Sequence, residues 1–568
     1  MPLRPRLIGA VTAALVTAAL FVAPGSAVAA GDATSELERQ RVDSVPAPAL
    51  AWFTCYGKAQ CATAQLPLDY DEPDGPTVGV AVVRVKARKP ASRIGTLFVN
   101  PGGPGGSGTE MAAMASLFLG DALLDRFDVV GFDPRGVGAS DKVACFPSTR
   151  DQSVALARMN LFFPYGAKEE AGYIKSAQAI GRGCSSTGGE LAGAMSTAEA
   201  ARDMDVLRRA LGDAKLTYLG FSYGTALGQY YANMFPDRVR ALALDGVIDP
   251  VSWTGTAATG TKLQDDRLRS ADGAYRALVK LLERCDRVGG KRCVFAAGDP
   301  VKHYAAIARK LRAKPLVLGK DPTLGTIRLT YADFVGMTLS ALYSPYAGDS
   351  VTMMAADVAA MQEGTGSPKL SREALLQRIT QLRAPGRDFP YDNSLEAFAG
   401  VMCTDGLHPG DAARWPALTA AADKRAPYFG RAWGWSSAPC ASDTWTVRDE
   451  DAYMGPFNRR TSAPVLFVGN YWDPATNYRE AVSSAKLLPG SRLLTSDNWG
   501  HTAYGTSACT TRAIDAYLLR AALPKAGTIC RSPLQPFAGD TMKMFSAESG
   551  DAKQLPPVAG PIGTGPRR

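Results

Sequence analysis

The sequence predicts an α/β protein: a mostly parallel sheet flanked by helices and split by a large, mainly helical insertion. Three observations carry that expectation. Between about 78 and 249, short apolar runs of strand length alternate with stretches of helical spacing, as in sheets buried on both faces and joined by helices. Over 250–455 the alternation lapses, and helical stretches such as "RSADGAYRALVKLLERC" and "REALLQRITQL" dominate. At Pro464 it returns with "PVLFV". The chain has 568 residues, more than one ordinary domain needs. An insertion of about 200 residues, read from where the pattern breaks, accounts for the excess.

The elements follow in order. Arg4 and Arg6 precede an apolar, Ala-rich run over 7–22, and Ala27-Val28-Ala29 supplies a small-residue cleavage site. Residues 1–29 therefore read as a secretory signal peptide, too short for a membrane span. Residues 30–50 are polar, then Pro- and Ala-rich, and are expected to form a flexible lead-in or pro-segment. The first part of the core, 51–249, holds the alternating strand "VGVAVVRV" (78–85), a short strand at 96–99 entering "NPGGPGGSG", and "FDVVGF" (127–132) ending in "DPRGVGASD". A helix over 197–211, a strand at 216–219, a helix to about 235 and a strand at 241–244 follow. The insertion, 250–455, is expected to be mainly helical, with helices joined by loops. The second part of the core, 456–532, brings a strand at 464–468, a helix at 478–487, the strand "RLLT" at 492–495 and a helix near 510–520. The tail, 533–568, is rich in Pro and Gly and is expected to be loosely held.

Composition narrows the function classes. Hydrophobic residues make up 46% and charged ones 21%, enough for a sizeable core and against wholesale disorder. The net charge is +9, yet the basic residues are scattered, so no nucleic-acid partner is expected. No later window is long and apolar enough to span a membrane, and no integral membrane segment is expected after signal removal. A monomer is expected. Ten cysteines in an exported chain point to disulfides. Short loops close most easily, which suggests the neighbour pairs Cys55–Cys61, Cys145–Cys184, Cys285–Cys293, Cys403–Cys440 and Cys509–Cys530. There is no C-x-x-C, and the histidines number three, His303, His408 and His501. That leaves no zinc spacing, and no metal or organic cofactor is expected.

Two glycine-rich stretches compete for attention. "GPGGSG" at 103–108 satisfies the dinucleotide fingerprint G-x-G-x-x-G, but the acidic residue that should close the next strand, Asp133, comes about ten positions late. The same stretch suits a loop whose backbone N–H groups approach a reacting carbonyl. "GFSYG" at 220–224 places Ser222 between a buried strand and a helix, as a nucleophile elbow requires. The Tyr223 N–H is the natural first oxyanion donor, and the second should come from Gly102 or Gly103. A base and an orienting acid are then needed. His303 sits in a helical part of the insertion. His408 precedes the last core strands. His501 follows the strand at 492–495, where a base on the final loop belongs. Asp473, after "PVLFVGNYW", is the acid; Asp497 is a rival but lies too near His501 in the chain.

"NPGGPGGSG", "DVVGFDPRGVGASD", "LGFSYGTALGQYYANMFPDRVRALALDGVIDP", "CTDG" and "HTAYGTSACTTRAIDAYL" together resemble the secreted tripeptidyl aminopeptidases of actinomycetes, α/β-hydrolases related to the prolyl aminopeptidases. The likeness runs from about Trp52 to Cys530. It implies an α/β-hydrolase fold with a helical cap over the site, a Ser222–Asp473–His501 triad, and an exopeptidase acting on peptide substrates. An aminopeptidase also needs carboxylates for the substrate's free amine, and Glu110 and Asp405 are candidates. Some relatives carry an acid just before the cysteine of the "CTD" block, where this chain has Met402. The alternatives are a secreted carboxylesterase or lipase-like hydrolase, or a non-catalytic binding module on the same fold.

Overall fold

The strands, in chain order, are β1 (Phe53–Cys55), β2 (Ala59–Pro67), β3 (Thr77–Val85), β4 (Gly95–Asn100), β5 (Phe127–Phe132), β6 (Leu216–Phe221), β7 (Val239–Asp245), β8 (Leu316–Asp321), β9 (Gly325–Leu329), β10 (Leu466–Trp472), β11 (Arg492–Trp499) and β12 (Ile529–Cys530). They belong to a computed structural model that describes residue 1 and residues 31–365, 369–383, 391–539 and 553–560. The expected signal peptide lies outside the described residues, apart from Met1.

Ten strands share one sheet in the order β1-β2-β3-β5-β4-β6-β7-β10-β11-β12. The first three pair antiparallel up to the β3–β5 junction, and from β5 to β12 the sheet is parallel. Strands β4, β5 and β6 are buried along their whole length, which is why their sequences are apolar runs without alternation. Register aligns Asn100 with Gly220 and Gly220 with Leu244, and Asp245 with Val468. The carboxyl ends of β4, β6, β7 and β10 therefore open on the same edge, where parallel α/β sheets place their ligands.

Between β7 and β10 the chain is helical for long stretches, including Ser270–Val288, Pro300–Ala313, Tyr331–Leu342, Ala347–Glu363, Ser394–Asp405 and Trp415–Arg425. The antiparallel hairpin β8–β9 is an addition to the mainly helical insertion. Its segments are short and half-exposed, so they carry no apolar run to read. The cover over the sheet edge also draws on residues before Ser222. Phe163 meets Tyr331 edge-on at 5.8 Å, and Cys145–Cys184 fastens the helix Ala167–Ser186 to that segment.

Two expected flexible regions are corrected. In the lead-in, Glu36–Asp43 is a helix capped by the Ser35 side chain. Its Glu38 forms a two-toothed pair with the buried Arg202 at 2.9 Å on both oxygens, and Val42 is fully buried. An eight-residue polar helix has no apolar stripe, so only the tertiary ion pairs reveal it. In the tail, the Gln535 side chain accepts from Trp499 Nε1 at 3.2 Å, and residues 553–560 lie against the core. The remainder of the tail is outside the described residues.

All ten cysteines pair as neighbours: Cys55–Cys61, Cys145–Cys184, Cys285–Cys293, Cys403–Cys440 and Cys509–Cys530. Among the described residues no helix is long and apolar enough to cross a membrane.

Candidate active site

Ser222 joins β6 to the helix Tyr223–Met234 with φ 54° and ψ −125°. A left-handed serine costs about 1–3 kcal/mol and persists only where its surroundings over-determine it. Here Ser222 N–H donates to the Asp245 carbonyl at 3.0 Å, and its own carbonyl accepts from Thr225 N–H at 2.8 Å and Thr225 Oγ1 at 2.6 Å. The turn sets Ser222, largely buried, into the lining of the cleft at the carboxyl edge of the sheet, above a helix N-terminus whose first N–H groups have no intrahelical acceptor.

The loop after β4 closes on this turn. A Cβ on Gly102 (φ +85°) would stand 2.8 Å from Ser222 Cβ and from Tyr223 N; only glycine lets the two backbones come so near. Gly102 N–H is committed to Asn100 Oδ1 at 2.9 Å. This narrows the expected second oxyanion donor: Gly103, which lines the cleft beside Ser222, is the better placed of the two.

Asp473 and His501 come together from the ends of β10 and β11. His501 Nδ1 lies 3.1 and 3.0 Å from the two oxygens of Asp473, both side chains fully buried. Asp473 is held by Ala475 N–H at 2.8 Å, Thr476 N–H at 2.9 Å and Thr476 Oγ1 at 3.0 Å. The following helix, Tyr478–Leu487, is capped by Asn477, so Asp473 is free of that duty. His501 N–H donates to Tyr343 O at 2.9 Å, and the Tyr343 ring meets the imidazole edge-on at 5.1 Å. With Nδ1–H on the carboxylate, Nε2 is the basic nitrogen, and it has no hydrogen-bond partner among the described residues. The ring packs over Gly246, where a Cβ would reach Cε1 at 3.2 Å, next to the Asp245 that anchors Ser222. The set can activate a hydroxyl, hold the resulting imidazolium and bind an oxyanion.

Asp245, at the end of β7 in "LALDGV", escaped the sequence reading. Fully buried, it accepts Ala503 N–H at 3.0 and 2.9 Å and Tyr504 N–H at 2.7 Å, fixing the loop that carries His501. Burial pushes its carboxyl up to about 7 against those backbone donors.

The other histidines stand elsewhere. His303 stacks on Phe295 at 4.6 Å. His408 donates from Nε2 to Met402 O at 2.9 Å, and burial, helped by Arg267, pushes it down to about 3. Asp497 accepts Ser532 N–H at 2.7 Å.

The cleft over Ser222 holds a cavity of about 80 Å³. Neither expected amine ligand lines it. Glu110 is an exposed residue in the first turn of the helix Gly108–Ala113. Asp405 is buried and spent: it accepts Thr197 N–H at 2.6 Å, Thr197 Oγ1 at 2.5 Å and Trp253 Nε1 at 2.7 Å. The acidic residues that do line the cleft are Asp265 and Glu480; among the described residues no lysine, arginine or histidine lines it, although Arg267 acts on Asp265, and Arg479 and Arg269 on Glu480, from outside the lining. Asp265 Oδ2 accepts from Ser436 Oγ at 2.6 Å, and burial pushes its carboxyl up to about 6. Glu480 Oε2 accepts Asp249 N–H at 3.1 Å, and burial, then the Asp249 charge, pushes its carboxyl well up. Met402 lines the same cleft.

The parallel sheet, the strand–serine–helix turn and the carboxylate–imidazole pair define a serine hydrolase of the α/β-hydrolase class. Residues 95–273 match the alpha/beta hydrolase fold family, and residues 426–530 match the TAP-like protein family. Serine protease Hip1 of Mycobacterium tuberculosis is 31% identical over 484 residues, covering 84% of this chain and 88% of its own. A tripeptidyl aminopeptidase of Streptomyces lividans is 30% identical over 478 residues, covering 81% of each. Carboxylesterase B of Mycobacterium tuberculosis is 32% identical over 505 residues, covering 86% of this chain and 91% of its own. The chain belongs to this TAP-like family of α/β-hydrolases and is a serine hydrolase related to peptidases.

Proposed function

We propose that the protein is an exported exopeptidase that cuts short peptides, tripeptides in the first instance, from free N-termini. Ser222 attacks the scissile carbonyl while His501 Nε2 takes its proton. Asp473 holds the ring and stabilises the imidazolium. The Tyr223 and Gly103 N–H groups receive the oxyanion, His501 returns the proton to the leaving amine, and water resolves the acyl-enzyme by the same route. The observation that carries the substrate class is the cleft's charge. Its acidic lining is Asp265 and Glu480, with no basic residue in the lining among the described residues; an entering ammonium draws these buried carboxyls toward their ionised form, whereas a substrate carboxylate gains nothing from them. The relative named tripeptidyl aminopeptidase supports the unit released. The sequence pattern of 1–29 and the five disulfides support export.

The relative named carboxylesterase and the aromatic lining at Phe162, Phe163, Phe398 and Trp433 favour a second reading, hydrolysis of neutral esters. A cleavage profile on a peptide library beside a panel of simple esters separates the two. Ser222→Ala should abolish fluorophosphonate labelling and lower turnover by several orders of magnitude with the fold intact. Near-native turnover in a folded Ser222→Ala protein would overturn the mechanism.

A further inference from the structure

The cleft has a lining that no catalytic requirement explains: Ala559 and Gly560, from near the end of the chain, line the same cleft as Ser222 and Gly103. The path that brings them there is defined. Lys553 Nζ pairs with Asp121 at 3.2 Å and donates to Ser116 O at 3.3 Å. Gln554 N–H donates to Leu117 O at 2.9 Å. The chain then crosses Gly505, where a Cβ would come within 3.5 Å of Leu555 and 3.7 Å of Pro556; Gly505 lies on the loop that follows His501. Pro556 is buried, and Val558 packs on the apolar cluster that includes Ala503 and Tyr504.

We infer that residues 553–560 form a strap across the mouth of the substrate cleft and that this strap determines which substrates enter. Gly560 is exposed, whereas Asp265 is partly buried and Glu480 buried, so the strap stands at the open end and the carboxylates further in. A short substrate ends before the strap. The leaving portion of a longer peptide must run out through the mouth and compete with it. Pro556 and Pro557 stiffen the segment and lower the entropy lost on seating it. The anchors are modest: one exposed ion pair, hydrogen bonds to the carbonyls of Ser116 and Leu117, and apolar contacts at Gly505 and through Val558. Such a strap can be displaced. A strap seated two-thirds to nine-tenths of the time raises the apparent KM of a competing substrate about three- to tenfold.

The inference rests on the serine-hydrolase site and, for its peptide arm, on the proposed exopeptidase reading. The experiment compares the full chain with one ending at Ala552. Two substrates share their first three residues: a tripeptide anilide and a decapeptide. Two fluorophosphonates, one compact and one with a long bulky linker, report on the mouth without any peptide. Truncation should raise kcat/KM for the decapeptide about three- to tenfold and leave the anilide within about twofold, and it should speed labelling by the bulky probe alone. A synthetic peptide of residues 553–568 should then inhibit the shortened enzyme competitively. A full chain carrying Lys553→Glu and Val558→Asp, which loosens two anchors, should behave as the truncation does and decides the matter if the shortened chain misfolds. Equal changes for short and long substrates and for both probes, or a loss of activity with either in a folded variant, would overturn the inference. If neither form cleaves peptides, the exopeptidase reading fails while the labelling ratio still tests the strap.

Discussion

Asp265→Asn tests the cleft's charge directly. Asn keeps the volume, and its carbonyl oxygen can still accept from Ser436 Oγ, the bond now made at 2.6 Å. What it loses is the charge that faces the cleft. A charge-assisted hydrogen bond to an ammonium is worth about 1.5–3 kcal/mol, or about 10- to 150-fold in kcat/KM. Glu480 lines the same cleft and would back up the same ammonium, so the lower end, about tenfold, is expected. Fold stability should not suffer. Burial raises the Asp265 carboxyl to about 6, so its contribution to stability is fullest at low pH and is lost as pH rises through that value. Asn avoids that loss, and Tm at pH 8 should be equal or higher. The assay is steady-state hydrolysis of a tripeptide anilide and its N-acetyl form by both proteins. The free substrate should lose about tenfold and the acetylated one less than about twofold. Equal losses for the two would refute the assignment of Asp265 to the amine.

Three further outcomes follow from the same geometry. The ratio of kcat/KM for free over acetylated substrate cancels the titration of the shared machinery. It should fall as pH drops through about 6, where Asp265 takes up a proton, and again above ~8, where the substrate amine loses one; a flat ratio would contradict ammonium recognition. Asp245→Ala strands the buried Ala503 and Tyr504 N–H groups, each costing about 1–3 kcal/mol. Both Tm and kcat should fall, because the loop carrying His501 loses its anchor, and an unchanged kcat would show that the loop holds without it. Replacing Cys509 and Cys530 with serine removes the link closing 21 residues just beyond His501 and should cost about 3 kcal/mol by thermal or denaturant unfolding.

Much of the frame was legible because its signals are local. Strands buried on both faces must be apolar, and β5 through β7 and β10 announce themselves as such runs. Ser222 declares itself by the strand–serine–helix context that its strained turn demands. With three histidines in the chain, chain order alone brings His501 and Asp473 forward. Neighbouring cysteines paired because short loops close most easily. Whatever depends on which distant surfaces meet was decided only by tertiary structure. Asp405 reads as a free carboxylate in "CTDG", yet Thr197 and Trp253 claim it. Asp265 reads as one acid among several on a polar stretch, and only packing of the cap turns it into the cleft. The lead-in helix exists through its ion pairs with Arg202, and residues 553–560 through contacts with Leu117 and Gly505. A side chain's period along the chain says whether it is buried; its partner, when hundreds of residues away, is set by how the layers close, and that leaves no local trace.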